Sequence, residues 1–98
     1  MPGELTYFGV NGRACPIRMM LAHKKVKYTD TRVTFEEHGV AKAAGKWGAL
    51  PIWTENGVTM DETKPLIRYL GTIHGYYPKD PVDQWSSDVL TDYSYEIL

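Results

Sequence analysis

The chain has 98 residues, 43% hydrophobic and 23% charged, with a formal net charge of −1 and a single cysteine. Such a size gives one domain with a modest core, burying roughly 60–65% of its unfolded surface, and the balanced charge leaves no electrostatic footprint for nucleic acid or an anionic membrane. Cys15 alone excludes an internal disulfide and fits a reducing cytosol, no apolar run approaches the ~20 residues of a membrane span, and Met1-Pro2-Gly3-Glu4 lacks the features of a secretory signal.

Leu5-Thr6-Tyr7-Phe8 is short, aromatic and β-prone, and Gly9, Asn11 and Gly12 supply a turn after it. Residues 14–25 read as a helix, with Ile17, Met20 and Leu21 on one stripe, Val26 beyond, and Pro16 in the first turn, where its missing N–H costs nothing. Residues 26–33 alternate with period two as a second strand, and residues 35–44 form a weaker helix broken by Gly39 and Gly45. Leu50-Pro51-Ile52-Trp53-Thr54 and Val58-Thr59-Met60 flank Asn56-Gly57, a hairpin signal because both turn residues tolerate positive φ. A helix is predicted over 63–73, with Pro65 in its first turn and Gly75 past its end. Residues 76–82, with Pro78 and Pro81, read as a linker, and an amphipathic helix occupies 83–98.

The order βαβα, then ββα, implies an α/β fold: a mixed four-stranded sheet with helices on both faces. That is the thioredoxin-like βαβαββα plan, followed by the start of an all-α second domain. The expected division is a domain over 1–76, a linker over 77–82 and the first helix of the helical domain over 83–98.

Four places can carry chemistry. Pro51 is either an ordinary edge-strand proline or a cis proline exposing the Leu50 backbone, and the scarcity of cis bonds favours the former. Glu62-Thr63 opens a helix. Thr63 can simply be its N-cap, or its hydroxyl and the free helix N–H groups can bind a carboxylate while a nearby acid pairs with an amine, as an amino acid would require. Cys15 before Pro16 is either a small buried residue or a thiol activated at a helix start, without the second cysteine that dithiol exchange needs. Tyr7 reads from pattern alone as core. His23, His38 and His74 show no metal-ligand spacing, so no metal is expected.

Together these stretches resemble the amino-terminal domain of cytosolic glutathione transferases of the tyrosine type, close to the sigma, pi, mu and alpha classes. The resemblance is carried by Leu5-Thr6-Tyr7-Phe8, Gly12-Arg13-Ala14-Cys15-Pro16-Ile17-Arg18 and Val33-Thr34-Phe35-Glu36-Glu37. It continues through Leu50-Pro51-Ile52, Leu66-Ile67-Arg68-Tyr69-Leu70 and His74-Gly75-Tyr76-Tyr77-Pro78. It implies that Tyr7 donates a hydrogen bond to the glutathione thiolate and that Arg13 lies near the glutamyl end. Lys42 would pair with the glycine carboxylate, where His38 replaces the usual tryptophan. Leu50, before a cis Pro51, would bond the cysteinyl backbone. Thr63 and Glu62 stand for a serine and a glutamine at the γ-glutamyl group, and Asp92 for an acid reaching the partner subunit's glutathione.

The resemblance further implies a cytoplasmic, dimeric detoxification enzyme that uses glutathione as co-substrate on a small electrophile. Lowering a thiol pKa of about 8.5 by about 2 units takes roughly 2.7 kcal/mol, within reach of one hydrogen bond to a charged acceptor at about 1.5–3 kcal/mol. Two alternatives are glutathione-dependent thiol transfer through Cys15 and a non-catalytic binding or structural module. Ala49 in place of a glutamine removes a polar contact. The family's helical domain would be interrupted in its first helix, leaving Trp85, Val89, Leu90 and Ile97 in need of cover, either in a shortened chain or by dimerisation.

Overall fold

The computed structural model describes residues 2–10, 12–34, 36–37 and 50–96. Four strands, β1 (Gly3–Phe8), β2 (Tyr28–Val33), β3 (Ile52–Glu55) and β4 (Val58–Met60), form one sheet in the order β2-β1-β3-β4. β1 runs parallel to β2, with Gly3 opposite Tyr28 and Phe8 opposite Val33. It runs antiparallel to β3, with Leu5 opposite Trp53. The expected mixed sheet is therefore present, as is the Asn56-Gly57 hairpin, with φ of 51° and 78° at its two turn residues.

The helices are α1 (Cys15–His23), preceded by a 3₁₀ turn at Gly12–Ala14, α2 (Thr63–Ile73) and α3 (Pro81–Glu96). Period-two alternation along β1 buries Gly3, Leu5 and Tyr7 on one face. Leu5 and Tyr7 share a core with Ile17 and Leu21 of α1, Ile52 and Trp53 of β3, and Leu66 and Leu70 of α2. Gly3 is needed by space, because a Cβ there would stand 2.1 Å from the Trp53 ring. The Trp53 indole N–H and the Tyr69 hydroxyl both donate to the Glu55 carboxylate, tying β3 to α2.

Several boundaries differ from the sequence expectation, each for a local reason. α1 ends at His23, not residue 25. Lys25 turns to φ 54°, its N–H bonds the Ala22 carbonyl and the Val26 N–H bonds the Leu21 carbonyl, a Schellman closure made without glycine. α3 begins at Pro81, where residue 83 was expected. The Asp80 carboxylate accepts from the Val82 and Asp83 N–H groups, and proline suits the first helical position. The N-cap of α2 is Glu62, not Thr63. The helix expected over 35–44 lies outside the described residues except for Glu36 and Glu37. Thr34 and Glu37 make the reciprocal side-chain to backbone pair of a capping box. Among the described residues no helix is long and apolar enough to cross a membrane.

Candidate functional site

The site is built where the end of β1, the Gly12–Ala14 turn and the start of α2 meet. Tyr7 points into the core and is 8% exposed. Its hydroxyl accepts the Arg13 backbone N–H at 3.1 Å, which leaves the phenolic proton available to another acceptor. Gly12, at φ 47°, leaves room for this contact: a Cβ there would stand 2.5 Å from the Tyr7 hydroxyl oxygen. On the other side of the same residue, the Tyr95 hydroxyl of α3 donates to the Arg13 carbonyl at 2.8 Å. The Arg13 guanidinium lies 5.3 Å from the Tyr95 ring centroid. Two tyrosines thus hold the Arg13 backbone from opposite ends of the chain. Burial pushes the Tyr95 hydroxyl up to about 12; the Arg13 cation opposes the rise, and Cys15 and Tyr7 add to it.

Beside this turn lies a cavity of about 360 Å³ lined by Arg13, Leu50, Glu62, Thr63, Lys64 and Pro65, a size suited to a small ligand. It brings together Arg13, Leu50, Glu62 and Thr63, four of the residues expected at the site. The Leu50–Pro51 bond is cis, the arrangement that the pattern alone disfavoured. Thr63 is buried at the first position of α2, where free N–H groups and the helix dipole favour an anion. Glu62 holds φ 69° and ψ 108°, with its side chain making no capping bond. A non-glycine residue in that region costs of order 1–3 kcal/mol and marks a backbone held in place by its surroundings.

His38 and Lys42 lie outside the described residues. Asp92 is on α3, and its carboxylate lies 3.7 Å from the Lys64 ammonium. Cys15 is half-buried at the start of α1, its thiol 3.7 Å from the Met19 sulfur. A second, apolar depression of about 380 Å³ is formed by Phe8, Gly9, Val10, Val33 and Thr34, starting one residue after Tyr7. Among the described residues there is no group of three or more His, Cys, Asp or Glu that could hold a metal ion.

Sequence reasoning missed Lys64 and Tyr95. Lys64 carried one signal, a cation in the first turn of a helix, where the dipole disfavours it. Tyr95 carried none, because its partner lies 82 residues away.

No family model matches the sequence. The chain is 37% identical over 95 residues to S-crystallin SL20-1 of Nototodarus sloanii, covering 96% of this chain and 43% of that protein. It is 31% identical over 93 residues to glutathione S-transferase P of Homo sapiens, covering 93% and 44%. Identity to hematopoietic prostaglandin D synthase of Gallus gallus is 32% over 89 residues, covering 91% and 45%. Among solved structures, NaGST-2 matches with a TM-score of 0.90 at 32% identity, over 97% of this chain and 46% of the other. The nu-class GST from Haemonchus contortus matches with 0.84 at 31% identity, over 92% and 44%. The chain spans less than half the length of these relatives.

Proposed function

We infer, since this chain belongs to the glutathione transferase family and corresponds to its amino-terminal domain, that it binds glutathione and stabilises its thiolate for attack on an electrophile. The carrying observation is the Tyr7 hydroxyl, fixed as acceptor of the Arg13 N–H at the turn that lines the cavity. With one lone pair engaged, the hydroxyl proton is directed at the ligand sulfur. The γ-glutamyl carboxylate sits at the Thr63 end of α2, its ammonium beside Glu62, with Arg13 adding positive charge. Leu50 meets the cysteinyl backbone, and Lys42 with His38 takes the glycine end.

In the reaction the thiol proton passes to solvent, the thiolate sulfur forms a bond to the electrophilic carbon, and the displaced group leaves with its electron pair. The apolar depression after Tyr7 supplies one wall for the electrophile. Relatives named as transferases favour this chemistry over thiol transfer through Cys15 or a non-catalytic module. The domain over 1–76, the linker over 77–82, the cytoplasmic setting and the homodimer belong to the same reading. The dimer is supported by apolar groups exposed along α3, Trp85, Leu90 and Tyr93 among them.

Tyr7→Phe tests the reading. The bound glutathione thiol, followed by thiolate absorbance, should rise in pKa by about 1–2 units. Conjugation of an aryl halide at neutral pH should fall about 10- to 100-fold, with glutathione affinity by calorimetry little changed. An unaltered thiol pKa in the variant would remove Tyr7 from the chemistry.

A further inference from the structure

Beyond the residues already assigned to glutathione, we propose that Lys64 is a further binding contact of the cavity, holding the ligand's γ-glutamyl carboxylate, and that Asp92 competes for it. The proposal rests on the reading of the cavity as a glutathione site. Lys64 lines that cavity beside Arg13, Glu62 and Thr63. Among these described linings Arg13 and Glu62 cancel, so Lys64 alone gives the wall its net positive charge. An amino-acid end carries one ammonium and one carboxylate. Glu62 answers the ammonium, and Arg13 with Lys64 answers the carboxylate.

The position of Lys64 agrees with such a role. A cation in the first turn of α2 opposes the helix dipole, whereas a carboxylate bound there meets both the dipole and the ammonium. Its present partner is weakly held: the Lys64 ammonium lies 3.7 Å from Asp92, with side chains 40% and 56% exposed. Solvent screens a contact of that kind, so an arriving carboxylate displaces it readily. Asp92 is thereby a competitor within its own chain, opposite in sign to the supporting role across a dimer that the resemblance implied.

The test is calorimetry on the chain with glutathione and with γ-glutamylcysteine, which lacks the glycine carboxylate. Lys64→Gln should weaken both ligands equally, by about fivefold, and flatten the salt dependence, with Lys64→Arg recovering most of the loss. Asp92→Asn should tighten both by about twofold, and have no effect when combined with Lys64→Gln. Wild-type affinity in Lys64→Gln overturns the role of Lys64 while leaving the glutathione site standing. A loss seen with glutathione but absent with γ-glutamylcysteine overturns the carboxylate assignment, and weaker binding in Asp92→Asn overturns the competition. Failure of the unaltered chain to bind either ligand overturns the glutathione reading itself.

Discussion

At the scale of single residues, the thiol-handling function proposed for Tyr7 depends on a neighbour with no side chain. Gly12 combines φ 47° with a Cβ position 2.5 Å from the Tyr7 hydroxyl oxygen, so both backbone and space require glycine. Gly12→Ala should lower stability by about 1–2 kcal/mol, read as the urea midpoint. It should also reduce conjugation beyond that loss, because the hydroxyl must shift from the Arg13 N–H. Stability falling with full activity per folded molecule would show that the tyrosine tolerates another position. Glu62 shows the complementary case, an acidic side chain kept where backbone conformation alone would favour glycine.

At the scale of elements, the helix ends separate what the sequence carries from what it hides. Gly75, at φ 80°, closes α2, with the Tyr76 N–H on the Gly71 carbonyl. Asn56-Gly57 closes the hairpin, and both were legible because residue type alone dictates the conformation. The close of α1 was not legible, because Lys25 adopts the same left-handed conformation against its preference. Lys25→Gly should therefore stabilise the protein by about 0.5–1 kcal/mol in chemical denaturation; a loss of stability would mean that the Lys25 side chain contributes a contact outweighing the strain. The site divides likewise. Arg13 was found because the resemblance covers its motif. Leu50, Glu62 and Thr63 were found because a proline before a strand and a helix start already mark backbone groups open to a ligand. The Lys64–Asp92 pair and Tyr95, by contrast, arise only when α3 packs against the domain. Pro81 misled for a local reason, since linker and first helical turn accept proline equally.

At the scale of the whole molecule, α3 is bound to the sheet domain by polar contacts: Arg68 and Tyr77 converge on Asp88, and Tyr95 reaches Arg13. Tyr95 links this docking to pH. Its hydroxyl is raised from 10.0 to about 12 in the folded protein. Below pH 10 it is protonated folded or unfolded; between pH 10 and 12 the unfolded chain loses the proton and the folded one keeps it, so stability falls as pH rises. Tyr95→Phe should flatten that alkaline decline while costing about 1–2 kcal/mol near neutrality. An unchanged slope from pH 10 to 12 in paired denaturation curves would count against the assignment.

The Tyr95 to Arg13 bond also fixes an order of events during synthesis. The turn at Gly12–Ala14 leaves the ribosome well before the hydroxyl that holds its carbonyl, which is 82 residues behind Arg13. A nascent chain that has already paired all four strands still lacks that anchor. Closure of so long a loop belongs to the slow, non-local part of folding. The arrangement at Tyr7 is thus completed only once Tyr95 has emerged and α3 has docked, and not with the sheet that carries it.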